Sequence, residues 1–127
     1  MKQETNNWIL LAKDHYENAV YLLAGSRFSL SVYCAHQALE MVLKAAIVEF
    51  AKKAPPKIHK LDELARLSKL DLPKKWYEDL AEITRHYWKV RYPDFRQHVY
   101  TNKEIVAPTI EKMKEVYLWI LSKLNQH

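Results

Sequence analysis

An all-α fold, an antiparallel four-helix up-down bundle with an additional short helix, is what this sequence predicts, and three observations predict it. Apolar residues recur at helical spacing over four long stretches. No stretch alternates with the period of two that a half-buried strand needs. The stretches are separated by Pro55-Pro56, Pro73 and Pro93, or by the single glycine, Gly25. The 127 residues (1–127) make one domain, large enough to bury a core without covalent staples.

The first helix is expected over Asn6 to Ala24, with Thr5 or Asn6 as its cap. Trp8, Ala12, His15, Ala19 and Leu22 form one stripe, which Ile9, Tyr16, Val20 and Leu23 widen into a broad buried face. Gly25 stands where a left-handed residue would end the helix. The second helix, Phe28 to Lys53, is the most apolar and should be central. Its small residues Ala35, Ala38, Ala45 and Ala46 let a neighbour approach closely, and Pro55-Pro56 stop it. A short helix is expected over Lys60 to Lys69, with Leu61, Leu64, Ala65 and Leu67 as its stripe.

Pro73, favoured in a first turn, opens a third long helix through Trp76, Leu80, Ile83, Tyr87 and Val90 that ends before Pro93. The last helix is expected from Thr101, where Thr101-x-x-Glu104 has the form of a capping box worth ~1 kcal/mol. It continues to Leu124. Pro108 inside it removes a backbone donor, at ~3 kcal/mol unless packing adapts.

Composition narrows the chemistry. One cysteine, Cys34, excludes a disulfide framework within the chain and fits a reducing cytoplasm as a small core residue. No apolar run approaches the ~18 residues of a membrane span, and the start lacks a signal h-region, so a cytoplasmic protein is expected. A lone glycine excludes Walker and Rossmann phosphate loops, which need glycine to bring amides onto the ligand. The histidines show no metal-ligand spacing, and neither metal nor cofactor is expected.

Lys and Arg number 20 against 15 acids, and the excess is concentrated. Arg85, Lys89, Arg91, Arg96 and Lys103 face one acid, Asp94, and Lys52, Lys53, Lys57 and Lys60 face none. Such segments suit an anionic partner, phosphate above all, although lysines near helix C-termini also offset the helix dipole.

The segment Arg91 to Thr101 carries the chemistry. It sets a guanidinium, an imidazole and a phenol in a proline-broken connector between two helices, with no apolar stripe to follow. Arg91 and His98 are the candidate catalytic pair, and Arg96, Tyr100, Tyr92 and Asp94 the candidate phosphate- or nucleotide-binding set. Trp88, Tyr92 and Phe95 lie close enough to these cations to be more than core aromatics. His15 and His86 follow helix faces and read as structural, and His59 reads as a cap or packing residue of the short helix. Glu40 and Lys44 form an i,i+4 pair, of the kind that supports an exposed face or, on so apolar a helix, lies in an interface.

With these residues in hand, the whole chain resembles the HEPN (higher eukaryotes and prokaryotes nucleotide-binding) domain family. The likeness rests on the first helix, Trp8 to Leu23; on Tyr33-Cys-Ala-His-Gln-Ala-Leu-Glu40-Met-Val-Leu-Lys44 in the second; on Ile58-His59-Lys-Leu61-Asp-Glu-Leu64; and on the box Arg91-Tyr92-Pro93-Asp94. The resemblance implies a bundle that dimerises, with its site near the connector before the last long helix. It also implies RNA or a nucleotide as ligand. In many such proteins a minimal nucleotidyltransferase is the antitoxin partner of a toxin-like, metal-independent ribonuclease.

The active pattern is Arg-x4-6-His, and six residues separate Arg91 from His98. In some toxins the pattern continues His-x-Tyr, with the tyrosine modified by the partner, as His98-Val99-Tyr100 would allow. Tyr92-Pro93 depart from the small polar residue that usually follows the arginine. A non-catalytic nucleotide- or partner-binding module is the alternative, and a plain interaction bundle a third.

Overall fold

The computed structural model describes the backbone of residues 1–127 and all side chains but that of Gln97. Six α-helices follow in order: α1 (Gln3–Ala24), α2 (Phe28–Ala46), α3 (Leu61–Leu67), α4 (Lys74–Lys89), α5 (Pro93–His98) and α6 (Lys103–Gln126). No strand occurs among the described residues. The four long helices form the bundle. α2 is its centre, packed by α1, α6, α3 and α4, and its Leu39, Val42 and Leu43 are fully enclosed.

α1 begins three residues before the expected start, because its cap is tertiary. Glu49 Oε1 accepts from the Lys2 amide at 3.2 Å and the Thr5 hydroxyl at 2.9 Å, so Thr5 lies buried inside the helix. The buried face of α1 is also narrower than expected. Ala12 and Ala19 are fully enclosed against α2, while Trp8, Ile9, Tyr16, Leu22 and Leu23 of the expected face are only partly buried against the core. The small seam lets the two backbones come close enough for Ser31 Oγ to donate to the Ala19 carbonyl at 2.6 Å.

The end of α1 corrects a second expectation. Gly25 has φ −87°, and Ser26, at φ 60°, holds the left-handed position. The Arg27 amide donates to the Leu22 carbonyl at 2.8 Å and the Ser26 amide to that of Leu23 at 3.1 Å, a Schellman closure one residue later than expected.

α2 changes hydrogen-bond period after Ala46 and continues as a π turn, Ile47–Ala51, before left-handed Lys52 (φ 56°) ends it ahead of the prolines. This wider turn carries Glu49, the partner of the α1 start. α3 buries Leu61, Leu64 and Ala65, and its first amide, Leu61, donates to Thr84 Oγ1 of α4 at 3.1 Å. Pro73 is the N-cap of α4 rather than a first-turn residue.

The connector 91–101 is not simply broken by its proline. Pro93 sits in the first turn of α5, for which its fixed φ is preformed, and Tyr92 ahead of it is extended (φ −108°, ψ 132°). The expected capping box does not form. Asn102 is the N-cap of α6, accepting from the Ile105 amide at 3.0 Å, which moves Glu104 out of the box register. Pro108 lies within α6, one turn after Glu104, whose carbonyl therefore has no helical donor.

Candidate functional site

The turn after α4 swings Arg91 back over that helix. Its Cζ lies 5.5 Å from the centre of the Tyr87 ring and 5.1 Å from that of Trp88, a cation–π arrangement that orders a long side chain while its donors stay free. Arg91 and Arg96 line one cleft of about 280 Å³ with Ser29, Leu30, Tyr33 and Val90. Sharing Ser29, Leu30 and Arg96, a second cleft of about 480 Å³ adjoins it and adds Arg27 and Tyr100.

Both clefts open at the start of α2. Arg27 is that helix's N-cap, no side chain caps it, and no acid stands in its first turn. Backbone amides and the positive end of the dipole therefore face the same space as three guanidinium groups, and no carboxylate lines either cleft. The arrangement is chemically suited to a phosphate group.

Beside the clefts lies a buried polar network. Glu40, its side chain 3% exposed, accepts from Lys44 Nζ at 2.9 Å through Oε2 and from His59 Nδ1 at 2.9 Å through Oε1. His36, fully buried, donates Nε2–H to the His59 carbonyl at 2.9 Å and stacks on Tyr87 with ring centres 3.8 Å apart. Burial drives the His36 imidazole down to about 4, and the His59 carbonyl and Glu40 oppose this only in part. Burial, reinforced by Tyr33, pushes the Tyr87 phenol up, while the nearby Arg91 cation opposes it. Tyr87 thus touches the network through His36 and the cleft's Arg91 through its ring.

The sequence-predicted residues are only partly gathered. Arg91 and Arg96 meet in one cleft. His98 is exposed at the end of α5 and lines neither cleft; Tyr92 and Asp94 are exposed and line neither. Tyr100 touches the second cleft but is 4% exposed, with its hydroxyl 2.8 Å from His86 Nδ1. Burial lowers the His86 imidazole, with Glu82 pulling the other way, and raises the Tyr100 phenol.

Trp88, Tyr92 and Phe95 are exposed beside the arginines, with Trp88 42% open. Arg27 escaped the sequence reading, although its place just after the only glycine was the available signal. The Glu40–Lys44 pair is neither an exposed-face pair nor surface decoration, and His59 is not a cap of α3. Among the described residues no three His, Cys, Asp or Glu side chains come together to ligate a metal ion, and no helix is long and apolar enough to cross a membrane.

Fold and clefts together define a small helical domain with a cationic opening at the start of its central helix. The profile of the HEPN domain matches residues 5–124, and the chain belongs to that family. Among solved structures, TT1696 from Thermus thermophilus shares the fold, with a TM-score of 0.79 at 19% identity over 96% of this chain and 99% of that one. No curated protein matches the chain.

Proposed function

We propose that this HEPN domain handles RNA, gripping its phosphates in the paired clefts with Arg91, Arg96 and Arg27. The observation that carries this is the convergence of these arginines on the uncapped start of α2 in clefts lined by no carboxylate. In the toxin-like form of this role the protein is a metal-independent ribonuclease with a minimal nucleotidyltransferase as antitoxin partner. There Arg91 stabilises charge developing on the phosphoryl oxygens while His98 moves the proton of the attacking 2′-hydroxyl. The family's Arg-x4-6-His spacing between Arg91 and His98 supports that form. Trp88, Tyr92, Phe95 and Val99 are exposed in and just before the connector, apolar area suited to burial against a second copy of the chain.

A non-catalytic RNA- or nucleotide-binding module is the second reading, favoured by the position of His98 outside both clefts. Fluorescence anisotropy with a labelled single-stranded RNA tests the binding step. Arg91→Ala and Arg27→Ala should each weaken binding and lower the salt slope by about 1. An affinity indifferent to Arg91, Arg96 and Arg27 refutes the proposal. Incubation with RNA in EDTA then separates cleavage from binding alone.

A further inference from the structure

We propose that His59, oriented by Glu40, is the proton-transfer group that acts beside Arg91 on an RNA phosphodiester. This deepens the reading of the clefts as a phosphate site and rests on it. Two elements far apart in sequence build the pair: Glu40 in the middle of α2, and His59 in the stretch that leads into α3. Their 2.9 Å contact fixes the chemistry of the ring. The carboxylate can only accept, so Nδ1 carries the hydrogen and Nε2 presents a lone pair. Nε2 makes no hydrogen bond among the described residues, and the side chain is 47% exposed.

Carboxylate, imidazole and solvent-facing nitrogen are the parts of a general base held in one tautomer. The carboxylate is itself pinned by Lys44, so it holds the ring from a fixed point. The other imidazole near Glu40, His36, is sealed inside and committed to the His59 carbonyl, which fixes the backbone of that stretch.

Position relative to the phosphate site completes the case. The His59 ring centre lies 6.0 Å from that of Tyr87, and Arg91 Cζ lies 5.5 Å from the same centre. Imidazole and guanidinium therefore both stand near one ring, no further apart than those two distances combined. In this proposal a ribonucleotide linkage bridges the two groups, with its phosphoryl oxygens on Arg91 and its 2′-hydroxyl on His59. His59 Nε2 takes the 2′-hydroxyl proton as O2′ bonds to phosphorus. The P–O5′ bond then breaks, and the leaving 5′-oxygen takes up a proton from the imidazolium or from water. The products are a 2′,3′-cyclic phosphate and a 5′-hydroxyl, with no net change in protons. His98, two residues beyond Arg96, is the rival for this proton, and neither imidazole lines the two clefts.

The test is cleavage of a fluorophore-quencher RNA oligonucleotide in EDTA, with affinity measured in parallel. His59→Gln, which keeps a donor for Glu40, should lower kcat about 100-fold or more with RNA affinity within twofold, and should abolish the acidic limb of the pH–rate profile. His59→Ala should regain activity with added imidazole, a recovery that no structural role produces. Glu40→Gln, a positioning change, should lower kcat about tenfold or more.

Cleavage lost in His98→Ala but kept in His59→Gln overturns this inference alone. So does RNA that binds through Arg91 and is never cut. Affinity indifferent to Arg91→Ala removes the cleft reading, and this inference with it.

Discussion

Replacing Lys44 by methionine isolates the energetics of the buried polar network. The Lys44 ammonium and the Glu40 carboxylate are 2.9 Å apart with side chains 8% and 3% exposed. At an effective dielectric of ~20 their attraction is about 6 kcal/mol, most of which offsets the loss of water by both charges. Removing one partner leaves the other charge buried, and such removals cost about 3–5 kcal/mol. Glu40 still accepts from His59, which places the loss near the lower end, about 3 kcal/mol. Loss of the Lys44 cation over the Trp8 ring, 5.7 Å away, adds about 0.5 kcal/mol, while the methionine stem fills the lysine's volume.

Urea unfolding followed by far-UV circular dichroism measures this as a midpoint lower by about 1.5–2 M at an unchanged slope. The double change Lys44→Met with Glu40→Gln removes both charges and keeps an acceptor for His59. It should be more stable than Lys44→Met alone by about 1 kcal/mol or more, a coupling that a double-mutant cycle reports directly. A single-mutant loss below about 1 kcal/mol, or strict additivity, would show that water screens the pair and would refute the reasoning.

Three further outcomes follow from the same geometry. The His36 imidazole sits near 4 when folded against 6.5 when free, so between those values the unfolded chain binds a proton that the folded chain does not. Stability is then complete above pH 6.5 and declines by about 3 kcal/mol on acidification toward pH 4; urea midpoints across that range should lose this slope in His36→Phe. Burial presses the Glu49 carboxyl upward, but the Lys2 amide, the Thr5 hydroxyl, His127 and the terminal amine outweigh it and hold the group below its ordinary value. Its contribution is therefore present above the unfolded value of 4.5 and is lost as pH falls through the lower folded value. Thr5→Val should cost about 1.5 kcal/mol at pH 7 and shrink that acid-side loss, measured by thermal unfolding at pH 3 and 7. Tyr100→Phe removes the hydroxyl from His86 and should cost about 1 kcal/mol in the same assay while leaving RNA affinity unchanged, because its hydroxyl is turned inward.

Much of the bundle was legible from periodicity, because burying an apolar stripe is a requirement each helix carries locally. The central place of α2 followed from its near-continuous apolar run. Leu80, Ile83, Ile110, Met113 and Ile120 are core residues on the faces their spacing assigned. Element ends were less legible wherever the cap came from elsewhere in the chain. Glu49 closes the start of α1 and Thr84 that of α3, across separations of 44 and 23 residues, and no local pattern encodes such partners. The cap of α6 was misplaced by one residue because Thr101 and Asn102 both fit the position.

The candidate site divides along the same line. Arg91 and Arg96 were found because cations in a connector have no packing purpose, and their shared cleft agrees with that logic. His59 and Glu40 were set aside because each, taken alone, resembles an ordinary residue of its element. By itself the sequence determined that this chain is a helical bundle of the HEPN family with a cationic connector ahead of its last helix, since helical period, proline breaks and charge are written residue by residue. Only the tertiary structure decided which groups share a cleft and which are sealed inside. Glu40 meets His59 across 19 residues, and Arg91 and His59 both approach the Tyr87 ring, only after helix packing has folded the chain back on itself.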